Sequence, residues 1–131
     1  MVILAGVIYL VVGVASGALA GAAASVGMRT FWRVSAFILS AAVFVAHIAY
    51  ERLRLRSAVR PTAWNVSLAV ALGGFGLALA ANLHDLGSAS GYRPKMLIAL
   101  VAWPLLTAVP AYLVALVLAA GLGVKRSGEE V

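Results

Sequence analysis

Four long stretches of this chain carry no charged residue: residues 2–28, 34–50, 61–84 and 96–124. The charged side chains fall in short clusters between them. A helix needs about 20 predominantly apolar residues to cross the hydrocarbon core of a bilayer. Each stretch therefore predicts one transmembrane helix, over about 2–28, 33–51, 61–84 and 96–124, the second reaching full length once its charged flanks snorkel to the interface. The connections are short, at 29–33, 51–60 and 85–95, with a polar tail over 125–131. Short connections force consecutive helices to lie antiparallel and adjacent. The expected fold is an all-α integral membrane protein, a single four-transmembrane-helix up-down bundle over residues 1–131.

Punctuation along the chain agrees with these boundaries. Pro61 stands just before the third span, where its missing N–H would lack a helical partner in any case. Gly87, Ser88, Ala89, Ser90 and Gly91 break the chain before the fourth. Trp32, Tyr50, Trp64 and Tyr92 fall near span ends, where amphipathic rings sit at headgroup level. Pro104 and Pro110 each remove a backbone hydrogen bond inside the fourth span, so a kink is expected there.

Composition narrows the function classes. Of 131 residues 64% are hydrophobic and only 11% charged, against roughly a quarter charged in a soluble domain. No room is left for a soluble catalytic domain, a nucleotide-binding fold or a nucleic-acid module. Cysteine is absent, which removes disulfides, thiolate metal sites and thiol catalysis together. The first apolar run has no preceding Lys or Arg and is longer than the core of an export signal, so it reads as a retained helix. Cytoplasmic loops carry the excess of basic residues. The side holding both termini and the second loop collects Arg52, Arg54, Arg56, Arg60, Lys125 and Arg126, whereas the other side has Arg29, Arg33, Arg93 and Lys95. This asymmetry places both termini in the cytoplasm, in a cytoplasmic (inner) membrane. Arg52, Arg54, Arg56 and Arg60 are expected to contact anionic lipid headgroups.

Helices in lipid gain little from hydrophobic burial against each other and associate through close contact at small residues. Gly13, Gly17 and Gly21 form two overlapping GxxxG motifs in the first span, with Gly6 one heptad earlier. The third span offers Asn65, Ala69, Gly73, Gly76, Ala80 and His84 along one face. Both stripes are expected to pack, within the bundle or against another subunit. Gly17→Leu, mid-stripe in the first helix, should then destabilise the assembly far more than Val12→Leu.

Ionisable groups in a span are costly and mark function by default. His47 and Glu51 are four apart near the cytoplasmic end of the second span, on one face that continues back through Val43, Ser40, Ala36 and Arg33. Two readings fit. One is a proton or cation site at His47, Glu51 and Ser40, because imidazole titrates near neutral pH. The other pairs Glu51 with Arg54 at the interface and gives His47 a backbone carbonyl or another buried polar partner. A second polar cluster, Asn82, His84 and Asp85, ends the third span, with Asp85 in reach of Arg93 or Lys95. The two histidines fall about 20–25 Å apart along the membrane normal, so one chain does not clamp a haem between them.

The function expected is that of a non-catalytic accessory or packing subunit of a membrane assembly, because charge is scarce inside the spans. The alternative is a small homo-oligomeric transporter or channel, proton or ion linked, using His47 and Glu51. Small four-helix multidrug transporters rest on a membrane glutamate in the first helix, and residues 2–28 hold no acid. No nucleophile, metal set or carboxylate pair suggests an enzyme or a cofactor. The expected partners are the lipid bilayer and other membrane subunits or further copies of the chain, with no nucleic acid.

Overall fold

The computed structural model describes the backbone of residues 1–86 and 95–127 and the side chains of 1–84 and 97–122. Every element among them is helical: α1 (Val2–Ala22), α2 (Val26–Ala49) running into a π-helical turn (Tyr50–Arg54), α3 (Val59–Leu86) and α4 (Lys95–Ser127). All four helices are long and apolar enough to cross a membrane.

The first connection differs from the expected one. The backbone leaves α1 at Ala23, which is extended, and Ser25 caps α2 by accepting the Met28 N–H on its hydroxyl at 3.2 Å. A serine in this role satisfies one of the unpaired donors of a first helical turn. Residues 26–33, read from charge as the end of one span and a loop, are therefore the opening turns of α2. Arg29 and Arg33 are helical side chains one turn apart. At the other end of α2 the chain turns through Arg56, whose φ of 53° is the left-handed conformation that ends many helices. Pro61 lies in the first turn of α3, where the backbone N–H it lacks is not needed.

The third helix is the hub of the fold. It packs extensively on α4 and on α1, while α2 lies chiefly along α1 and touches α3 and α4 over a small area. The reason is composition: α3 carries small residues on two faces. Toward α1, a Cβ added at Gly73 would stand 2.5 Å from Tyr9 Cβ, and one added at Gly76 would stand 2.9 Å from Leu10 Cδ1. From the other side, Gly6 leaves room for Leu72, and Gly13 for Leu77. Toward α4, a Cβ at Gly74 would meet the Thr107 hydroxyl at 2.9 Å. Ser67 Oγ donates to the Ala108 carbonyl at 2.8 Å, a hydrogen bond between the two helices. Such bonds contribute about 0.6 kcal/mol on average in membrane proteins. Ser67→Ala is accordingly expected to lower stability in detergent by only a few tenths to one kcal/mol, measured by thermal melting, with the fold retained.

These contacts divide the first-helix stripe. A Cβ at Gly17 or Gly21 would meet nothing within 4 Å. Within the chain these two glycines separate from Gly13, Gly73 and Gly76, which do lie in contacts, and Gly17→Leu is not expected to disrupt the bundle. Helix α4 continues through both prolines, and the Thr107 hydroxyl lies 2.9 Å from the Trp103 carbonyl and 3.1 Å from that of Pro104.

The core has two connected parts. Ile48, Ala63, Val66, Ala115 and Ala119 form one, and Ala5, Tyr9 and Ala69 the other, with Phe44 packed against both. These residues come from the first half of α1, the end of α2, the first half of α3 and the second half of α4. The tightly packed end of the molecule is therefore the end that holds His47 and Glu51. Away from it, α2 stands off α3 and α4, leaving an open apolar cleft of about 680 Å³ with Phe37, Ser40, Trp103 and Thr107 on its walls.

Candidate functional site

The last turns of α2 bring His47 and Glu51 into the packed end, where they are 4% and 3% exposed. Four-residue spacing puts both on one face, and Ile48 between them is fully buried against α3 and α4. His47 Nε2 lies 3.7 Å from Glu51 Oε1. That exceeds hydrogen-bond length, and neither ring nitrogen of His47 has a hydrogen-bond partner among the described residues.

The carboxyl group of Glu51 is better provided for. Ser57 Oγ donates to Oε2 at 2.8 Å, and Asn65 Nδ2 donates to Oε1 at 3.2 Å. Asn65 belongs to α3 and Ser57 to the connection, so one side chain ties the end of α2 to the loop and to the next helix. Ser57 is held in two further ways. Its N–H donates to the Glu51 carbonyl at 2.9 Å, and its own carbonyl accepts from Arg52 Nη1. The π turn sits at the centre of this arrangement. Single π-helical turns are rare and occur often at functional sites.

The expected partner of Glu51, Arg54, does not hold it; Arg54 is exposed, and neutral donors take both carboxyl oxygens. Arg52 is half-buried and turned back onto the loop, its Nε without a hydrogen-bond partner among the described residues, whereas Arg54, Arg56 and Arg60 are exposed. Ser40 stands apart from this cluster, seven residues before His47 on the wall of the apolar cleft. Further along the same face, Ala36 and Arg33 border a separate groove against α1.

The second polar cluster is only partly gathered. Asn82 is buried and donates to the Ala78 carbonyl at 2.8 Å, whereas His84 is exposed. The side chains of Asp85, Arg93 and Lys95 lie outside the described residues. Among the described residues no three His, Asp or Glu side chains come together as metal ligands would.

Asn65, Ser57 and Tyr9 are not singled out for these roles by spacing. Asn65 was legible as part of the small-residue face of α3 but not as a donor to Glu51, because 14 residues separate the two. Tyr9 is buried with its hydroxyl unpartnered among the described residues, and no pattern in the sequence marks that hydroxyl. Comparison of the chain with protein-family models, curated proteins and solved structures finds no match, so the site is interpreted from its own geometry.

Proposed function

We propose that the chain is a multi-pass protein of a cytoplasmic membrane, its four helices running up and down with both termini in the cytoplasm, and that it acts as a non-catalytic accessory component of a membrane assembly. The observation that carries this reading is the commitment of Glu51. It is the one acid among the described side chains, and both of its oxygens are engaged in holding α2, the loop and α3 together. A carboxyl group so engaged serves as a structural clamp. Purification in mild detergent tests the proposal: stoichiometric foreign subunits are expected to accompany the chain, and a homo-oligomer alone would count against it.

One observation favours a second reading, a proton- or ion-linked transporter or channel working as a homo-oligomer. His47 is buried beside Glu51 with neither ring nitrogen hydrogen-bonded among the described residues, and buried polar groups are ordinarily satisfied. An imidazole in that state is available to take a proton or bind a cation. On this reading, His47→Ala and Glu51→Gln each abolish a pH-dependent flux into proteoliposomes while the protein stays folded. Flux that survives both substitutions places transport elsewhere or removes it.

A further inference from the structure

We propose that the groove between the C-terminal half of α1 and the opening turns of α2 binds one anionic phospholipid, its phosphate on Arg29 and Arg33 and an acyl chain laid across Gly17 and Gly21. The groove encloses about 570 Å³. None of the described residues covers its floor, since a Cβ added at Gly17 or Gly21 would meet nothing within 4 Å. From Gly13 to Gly21 the floor runs about 12 Å at the rise of a helix. It is smooth enough for an alkyl chain to make close dispersion contact throughout.

Three further features point to a lipid. Arg29 and Arg33 line the groove one turn apart, exposed, and without an acidic partner among the described residues. Two guanidinium forks at that spacing suit the oxygens of a single phosphate. Ser16 lines the same groove, is only 8% exposed, and makes no hydrogen bond within the described residues. A buried hydroxyl wants a partner, and the ester carbonyl just below a lipid phosphate supplies an acceptor. Finally, Gly13 and Ala36 line both this groove and the larger apolar cleft. A chain that follows the glycines therefore passes into the space between α2 and α4, beside Phe37 and Trp103.

The charge decides between a lipid and a second copy of the chain. Two glycine stripes packed on each other would bring the arginines of both copies together in a medium that screens them poorly. An anionic lipid neutralises them instead. The site differs in kind from Arg54, Arg56 and Arg60, which are simply exposed on and after the π turn. It holds under either reading of the function.

The test uses the full chain in neutral detergent, with binding followed by native mass spectrometry and thermal melting. The probes are phosphatidylglycerol, phosphatidylcholine with the same acyl chains, and glycerol 3-phosphate. One phosphatidylglycerol per chain is expected to bind and raise the melting temperature, with phosphatidylcholine at least about tenfold weaker and glycerol phosphate without effect at equal concentration. Arg29→Ala/Arg33→Ala should weaken binding roughly thirtyfold. Gly17→Leu, whose Cβ meets nothing within 4 Å and whose side chain enters the groove, should prevent binding, and Arg54→Ala/Arg60→Ala should leave it unchanged. Equal binding of both lipids overturns the proposal, as does glycerol phosphate binding as well as the lipid, which would make this a free-anion site. Unchanged affinity in the folded Gly17→Leu variant also overturns it. So does a dimer that this substitution converts to monomer, since the stripe would then belong to a second copy.

Discussion

Gly73→Leu is expected to separate α1 from α3 and abolish the bundle, and even Gly73→Ala should destabilise it by about 1–3 kcal/mol, the usual range for overpacking. The new Cβ would stand 2.5 Å from Tyr9 Cβ and 3.4 Å from the Gly6 carbonyl oxygen. Neither atom can swing away, because one is the root of a side chain and the other is backbone, so the whole of α1 must move. Gly76→Ala meets only the tip of Leu10, which can change rotamer, and should be milder. Gly17→Ala should have the opposite sign. Its methyl group enters open space, while alanine gains up to about 1 kcal/mol of helix propensity over glycine. Melting of the three variants in one detergent checks the order. Gly73→Ala as stable as Gly17→Ala would mean that α1 and α3 do not approach as described.

The second large effect is expected at Asn65. Asn65→Ala removes the half-buried donor to Oε1 of Glu51, a residue only 3% exposed. An unsatisfied buried polar group costs about 1–3 kcal/mol. Asn65→Asp should be worse, since it sets a second acid against the first. The loss belongs to the pair, so Glu51→Ala/Asn65→Ala should be more stable than the sum of the single losses implies. Unfolding free energies measured by denaturant titration would show this coupling. Strict additivity would mean that the 3.2 Å contact contributes nothing and the clamp is not what fixes this end.

The existence of four helices is legible in the sequence because length and apolarity alone decide it. Their ends are less so. Charge marked 29–33 as a loop, yet the chain breaks at Ala23 and restarts at the Ser25 cap. Capping is a local hydrogen-bond effect, and arginines can belong to a first helical turn as readily as to a loop. The glycine stripes show a different limit. Gly17 and Gly73 look alike in a linear pattern, and only the partner's position separates an open groove from a tight contact. His47 and Glu51 were visible as neighbours at four-residue spacing. Ser57 and Asn65 were not visible as the partners of Glu51, because the π turn changes the local register and the bond to α3 joins residues far apart in sequence. The reading that pairs Glu51 with Arg54 follows from charge, whereas in the structure neutral donors take that role.

The central claim, a four-span membrane bundle of alternating direction, is tested most directly by single-cysteine accessibility. The chain has no cysteine of its own, so Ala24→Cys, Leu55→Cys and Ser88→Cys each report one site against a blank background. Ala24 and Leu55 are exposed and lie in the first two connections; residue 88 lies in the third. With an impermeant maleimide on intact cells, Ala24→Cys and Ser88→Cys should label from outside, and Leu55→Cys only after the cytoplasmic face is opened. Labelling of Ala24→Cys and Leu55→Cys from the same face would contradict the account.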